Sequence, residues 1–485
     1  LPFLKIGAEY FLSVFRTKPP PRVARLLRES TDRELPEHFN RELKQSIFRE
    51  VLAMGLPSMA GFMLMIVYEI VDMFWLAMIG PAPVAAVTIF GSILWVLASP
   101  NMIVGAGSVA VISRRYGEGD EVRTERSIKN TFVLKFGIGL AFGLPAILFL
   151  RPVLTMMGAE PNVIDLGWRY GVVQLCTLGF AMTSYSIYTA FRGIGQPNTA
   201  LFVSVAGTGL NIVLDPLLIF GVGPLPKLGI LGASLATSMA HITVVITGFS
   251  LLARRRSPIR VSWLRPPWPR INDMWQILRV GAPSGINDFS FALAQTVVVR
   301  FVATYGTIIV ALFGMSSKIL QFGIMIVAGL GLGTGALIGQ FLGSRERHKA
   351  WLAGILSIRL SVALTSIFAV LVVVFAPQVV RVFFDDPLML GPGEAILRIM
   401  AISMPMIALH IAAEEVFMGA GQNTPPMVLS IIHSWVMVVP FMYFAGNVFH
   451  WGPNGLMWGW SVAHVIGALA IYWLFRRGTW LKHEI

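Results

Sequence analysis

The chain has 485 residues, of which 55% are hydrophobic and 13% charged, with a formal net charge of +13. Its mean hydropathy of +0.71 excludes an ordinary soluble domain and a disordered polyelectrolyte, leaving a polytopic membrane protein. A single cysteine, Cys176, excludes an internal disulfide, and its place within a span points to packing. Residues 1–46 read as a charged cytoplasmic tail carrying Pro19-Pro20-Pro21; Lys5 and Glu9 in its apolar start argue against a secretory signal. Apolar stretches long enough to cross a hydrocarbon layer of ~30 Å as helices follow one another. The first six run over 48–80, 82–113, 126–150, 163–192, 198–221 and 229–253. A basic, proline-rich segment, 255–272, is too polar to cross and reads as a cytoplasmic linker. Six more spans follow over 273–304, 307–340, 350–376, 393–420, 425–446 and 454–476, before a short cytoplasmic tail, 479–485. No run of short alternating strands marks a barrel, so the predicted fold class is all-α.

Glycines and prolines recur at a constant shift of 226 positions. Gly55-Leu56-Pro57-Ser58 falls on Gly281-Ala282-Pro283-Ser284, Gly105-Ala106-Gly107 on Gly331-Leu332-Gly333, and Gly193-Ile194-Gly195-Gln196 on Gly419-Ala420-Gly421-Gln422. These residue types fix where helices bend, end and touch, so one backbone plan is written twice. The predicted domains are an N-lobe over 47–254 and a C-lobe over 273–478, each with six transmembrane helices. An even number of spans per lobe makes the repeats parallel, related by a pseudo-two-fold axis along the membrane normal. Arg114, Arg115, Arg123, Arg126, the Arg254-Arg255-Arg256 run, Arg345, Arg347, Arg476 and Arg477 all fall on one side, which the positive-inside rule makes the cytoplasm. The positive charge is thus an orientation signal, and nucleic acid is not an expected partner.

Chemistry is expected where the apolar pattern is broken, because an intramembrane carboxylate costs ~2.5–3.5 kcal/mol on insertion scales. Glu69 and Asp72 stand three residues apart on span one, and Asn211 and Asp215 four apart on span five, each pair sharing a helical face. Pro216 follows directly and removes a backbone donor. If spans one and five meet, these oxygens form a small nest able to hold a proton or a desolvated Na+; alternatively the polar groups only bond one another and pin the bundle. At the repeat shift Asp72 falls on Val298, Asn211 on Met437 and Asp215 on Phe441, so the acids occur once. That favours a cation site in the first lobe.

Taken in order, Gly55-Leu56-Pro57-Ser58, Val71-Asp72-Met73-Phe74, Arg192-Gly193-Ile194-Gly195-Gln196-Pro197 and Asn211-Ile212-Val213-Leu214-Asp215-Pro216 resemble the multidrug and toxic compound extrusion (MATE) family, most closely its DinF-type branch, over about 47–476. The resemblance implies export coupled to H+ or Na+ through Asp72, Asn211 and Asp215, with Thr237 as the matching span-six threonine. It also implies alternating access through one central cleft, small lipophilic or cationic substrates, no cofactor beyond the coupling ion, and a monomer in the lipid of the cell (inner) membrane. The NorM-type branch uses acids in the second lobe. Here Asp288, Glu414 and Glu415 lie in that lobe at spacings that do not match; with Asn101 and Gln295 they are read as lining the substrate cavity, or, equally, the acids form a structural ion-pair network. Arg300 and Lys318 supply possible ion-pair partners for these acids, and His241, His410, His433 and His464 are expected to make helix contacts.

Other classes fare less well. A lipid-linked oligosaccharide flippase of the same superfamily is the alternative, but Arg300 and Lys318 are few cations for holding a pyrophosphate. An ATP-driven pump needs a phosphate-cradling Gly-rich loop and a soluble domain, and neither is found. An enzyme is not expected, since the histidines show no ligand spacing and no nucleophile motif occurs.

Overall fold

A computed structural model describes residues 37–222, 226–254, 257–384 and 386–484. Residues 1–36 of the expected tail and Arg255-Arg256 of the linker lie outside them. In the first repeat the helices are α1 Glu37–Ala77, α2 Pro81–Gly117, α3 Glu121–Met156, α4 Pro161–Cys176, α5 Leu178–Gly193, α6 Pro197–Phe220 and α7 Ile230–Leu252. In the second they are α8 Ile271–Ala303, α9 Thr307–Gly343, α10 Arg347–Val374, α11 Ala376–Phe383, α12 Pro387–Ile402, α13 Met404–Ala420, α14 Thr424–Ile432, α15 Val439–Tyr443 and α16 Gly452–Arg476. Strands are absent among the described residues. Proline opens α2, α4, α6 and α12, where its missing N–H is one of the helix's own unpaired donors.

Among the described residues ten helical stretches are long and apolar enough to cross a membrane, and α12 with α13, bent by 40°, makes an eleventh. The pair α4 and α5 occupies the matching place in the first repeat and completes twelve crossings in two sets of six. The sequence predicts one unbroken helix over 163–192; the structure breaks it at Thr177, and the second repeat breaks at Ser403, 226 positions on. Each breaking hydroxyl turns back onto its own helix: Thr177 Oγ1 donates to the Val173 carbonyl at 2.8 Å and Ser403 Oγ to the Met400 carbonyl at 2.7 Å. Cys176 is exposed at this break and is not the packing residue expected. In the second repeat, π-helical turns at His433–Val438 and Phe444–Val448 flank α15 around Pro440. In the first, α6 runs helically through Pro216.

The duplicated Gly-Ile/Ala-Gly-Gln motif ends α5 and α13 with the same turn. Gly195 and Gly421 adopt φ of 74° and 76°, a left-handed conformation that favours glycine. Gln196 N donates to the Phe191 carbonyl at 2.7 Å and Gln422 N to the Phe417 carbonyl at 3.0 Å, satisfying carbonyls the helix leaves open.

By contact the described residues form two compact units, one within 60–282 and the other within 283–484 together with 37–59. Pro57 and Pro283, matching prolines inside α1 and α8, mark the two divisions. In the first unit the opening stretch of α8 packs on α2: a Cβ at Gly107 would overlap the Ile277 carbonyl, and one at Gly281 the Ile103 carbonyl. In the second unit the opening stretch of α1 packs on α9, where Gly333 faces the Met54 carbonyl and Gly55 the Leu330 side chain. Gly107, Gly281 and Gly333 are therefore places where two backbones meet.

Described linker residues are clasped by α3. Lys129 is 0% exposed; its ammonium pairs with Glu125 at 2.8 Å and donates to the carbonyls of Arg265 and Pro267, each at 3.0 Å. Ser262 N donates to Glu125 and Arg270 N to Asn130, while Trp263 packs on Phe249 and Phe132. Lys129→Met strands the Glu125 carboxylate and two carbonyls, a loss of about 3 kcal/mol on the scale of broken buried pairs. Limited trypsinolysis is expected to cleave after Arg270, whose backbone N–H is held by Asn130, faster in that variant; an unchanged rate would show that the clasp contributes nothing.

Candidate functional site

Four helices of the first unit meet around the two acids. α1 brings Tyr68, Glu69 and Asp72, α4 brings Tyr170, α6 brings Asn211 and Asp215, and α7 brings Thr237. Asp72 is 7% exposed, Asn211 1%, Asp215 0% and Thr237 4%. The carboxyls of Asp72 and Asp215 lie within hydrogen-bonding reach of each other. Asn211 Nδ2 donates to Asp215 Oδ1 at 3.3 Å, one helical turn away. Asp72 Oδ1, Asn211 Oδ1 and Asp215 Oδ2 are buried and accept no hydrogen bond. Two carboxylates can lie in contact only with positive charge between them, and the three unpartnered oxygens around that contact are able to accept it.

Thr237 sits beside this nest. Its Oγ1 donates to the Ala233 carbonyl at 3.1 Å, so its lone pairs are left to receive the hydroxyls of Tyr68 and Tyr170, which lie at hydrogen-bonding range. Both phenols also sit near the acids, Tyr68 by Asp72 and Tyr170 by Asp72 and Asp215. Sequence reasoning missed these two tyrosines. Tyr68 had a signal, since it precedes Asp72 by one helical turn on the same face; Tyr170 had none, being far away in the chain. Thr237→Val removes the shared acceptor and is expected to cost about 1–3 kcal/mol, read as a lower melting temperature in detergent. Thr237→Ser keeps the acceptor and should melt near wild type; a loss in Thr237→Ser with none in Thr237→Val would implicate the methyl group instead.

Glu69 is exposed at the edge of the nest, with Asp72 and Tyr185 as its neighbours. Asn101, on α2, is half-buried with its Oδ1 unpartnered, and no hydrogen bond ties it to the acids. All nest ligands are oxygens from two acids, an amide and a hydroxyl, a hard set without imidazole or thiolate. Among the described residues no cluster of three or more His, Cys, Asp or Glu could hold a metal ion. Such a set suits a monovalent cation.

A family model described as MatE matches the chain twice, over residues 57–217 and 283–444. The chain belongs to the MatE family. Both matches open on the duplicated proline, so the MatE unit is the repeat itself. Similar curated proteins include "Probable multidrug resistance protein YoeA" of Bacillus subtilis (strain 168), 25% identical over 448 residues, with 91% of this chain and 96% of that one covered. "Multidrug export protein MepA" of Staphylococcus saprophyticus is 26% identical over 457 residues, covering 91% and 97%. Among solved structures, a MATE protein in its straight conformation superposes with a TM-score of 0.82 at 24% identity, covering 90% of this chain and 97% of that one. A MOP superfamily transporter from Pyrococcus furiosus gives 0.81 at 24% identity with the same coverage. These two share the fold.

The second MatE repeat places its acids differently. Asp288 is exposed on α8 with Glu414 as its charged neighbour. Glu414 Oε1 accepts from Asn287 Nδ2 at 3.4 Å and from Ser430 Oγ, and lies 3.6 Å from His410 Nε2. Glu415 points elsewhere, its stem lying on Gly331, and Gln295 is half-buried on α8. Arg300 and Lys318 are exposed and form no ion pair among the described residues. The expected basic partners are thus replaced by hydroxyl, amide and imidazole groups. His410, His433 and His464 form a row, with ring centroids 5.1 and 4.8 Å apart.

Proposed function

We propose that this MatE chain is a secondary active multidrug exporter that expels lipophilic or cationic compounds by antiport against H+ or Na+. Three orphaned oxygens, Asp72 Oδ1, Asn211 Oδ1 and Asp215 Oδ2, gathered around two touching carboxyls, carry this reading. A cation from outside enters the nest, cancels its negative charge and takes up the empty acceptor positions. Asp72 rides on α1, a single helix that begins in one compact unit and ends in the other and contains Pro57 at the division. A change of charge at Asp72 therefore acts on the element that links the units, and Pro57 supplies the weak point at which it can bend. Export follows only if cation and substrate favour different conformations, since a ligand that binds both equally moves nothing. The nest is the filled or emptied site, and the substrate occupies its own. The names of YoeA and MepA support drug-like compounds as the substrate class. The basic segments support an orientation with both ends of the chain on the cytoplasmic side of the cell membrane, and the reading takes the chain as a monomer.

Transport by the purified chain in proteoliposomes tests this, with H+ and Na+ gradients imposed one at a time. Uphill movement of a fluorescent lipophilic cation under one gradient and none without it is the expected result. Transport indifferent to both gradients would refute antiport, and movement of a lipid-linked sugar instead of the dye would assign the flippase activity.

A further inference from the structure

The nest does not end at Thr237. One turn along α7 lies His241, whose Nδ1 sits 3.0 Å from Ser184 Oγ on α5. Ser184 commits its own proton to the Ala181 carbonyl at 2.7 Å. The serine therefore accepts, His241 Nδ1 carries the hydrogen, and Nε2 is left with a bare lone pair. No described group hydrogen-bonds Nε2. The ring is only partly buried and Nε2 is not sealed among side chains, so water can reach it. The ring lies 6.4 Å from that of Tyr185, which neighbours Tyr68 of the nest on one side and Tyr188 on the other, at 6.3 Å. Around it the charged groups are Glu69, facing Tyr185 from α1, and Arg192, facing Tyr188 from the end of α5; neither touches the imidazole. Beyond Arg192, on α3, is the buried Lys135. Arg192 at this end opposes passage of Na+, whereas a proton can be handed on by bond exchange.

We propose that His241 is the proton acceptor through which the Asp72–Asp215 pair discharges toward the Leu252 end of α7. The proposal rests on the antiport reading and narrows its ion to H+. A carboxyl O–H breaks and the proton passes by exchange over the nest hydroxyls and intervening water. An Nε2–H bond forms, and the resulting imidazolium returns its proton to water on the cytoplasmic side. One proton enters and one leaves, so the imidazole is regenerated.

The test is proton counterflow driven by an outward gradient of a lipophilic dye, read with a pH-sensitive fluorophore in proteoliposomes. His241→Gln keeps a side-chain amide for Ser184 but cannot relay. It should bind dye as wild type does and slow counterflow about 100-fold, the scale of a lost acid–base group. His241→Ala should recover rate when free imidazole is added, which a structural role would not allow. If His241→Gln does not fold, Ser184→Ala carries the question, because losing the tautomer lock should slow counterflow several-fold. Wild-type counterflow in His241→Gln, or in Ser184→Ala where that variant stands in, overturns the proposal and leaves antiport standing. Absence of counterflow in the wild-type chain itself would instead refute antiport by H+.

Discussion

Asp72→Asn and Asp215→Asn are each expected to abolish uphill export while leaving the folded chain as stable as wild type or more so. Either change removes one of two touching buried carboxyls without changing its size, so the repulsion and desolvation that oppose folding are relieved. Coupling is lost because a tenfold ion gradient supplies ~1.4 kcal/mol per ion only if the ion's arrival changes the charge of the nest, and an amide neither gains nor loses charge. Dye flux in proteoliposomes should fall to downhill leak in both variants, with melting temperatures at or above wild type. The combination separates function from structure: residues that merely pinned the bundle would show a lower melting temperature and intact coupling. Full coupling in both variants would remove the nest from the mechanism.

The second large effect is on stability. Gly107→Val and Gly281→Val each force a side chain into a carbonyl group of the facing helix, Ile277 in one case and Ile103 in the other. Backbone cannot step aside as a flexible side chain can, so α2 and α8 must separate along their contact. A loss of about 3 kcal/mol or more is expected, at the upper end of overpacking costs, with a large drop in melting temperature and poor recovery of folded protein. Gly137→Ala is the control. A Cβ there meets nothing within 4 Å, so relief of backbone entropy should stabilise α3 by about 0.5–1 kcal/mol. Equal melting temperatures for Gly107→Val and Gly137→Ala would show that the α2–α8 contact yields easily.

Much of the architecture is legible because glycine and proline are read directly by the backbone. The constant shift between Gly55 and Gly281, or Gly107 and Gly333, reports shared geometry whatever the surrounding side chains do. The break at Thr177 is less visible, since a hydroxyl that turns onto its own helix is tolerated mid-span as often as it ends one. The acids of α1 and α6 stand out because carboxylates in an apolar run are costly. Tyr68 and Tyr170 are hidden by the opposite fact, that phenols are common in membrane helices and need only one partner. In the second repeat, pairing by charge alone favours Arg300 and Lys318, yet Glu414 is met by Asn287, Ser430 and His410. Asn287 and Ser430 stand 127 residues before and 16 after it in the chain, distances at which no local spacing rule operates, whereas His410, 4 residues before it, shares its helical face and is within reach of that rule.

The exchange of opening stretches between α1 and α8 bears on how the chain is made. Synthesis proceeds from the N-terminus and bundles tend to consolidate as they emerge. Here the first bundle lacks its α8 stretch until residue 282 has been translated. Meanwhile the start of α1, made first, has no lasting place until α9 exists to receive it. Neither half is a finished object on its own, so a stop codon in the linker leaves an α2 surface bare at Gly107 and strands an early helix in the bilayer. The molecule matures late, and nearly all at once.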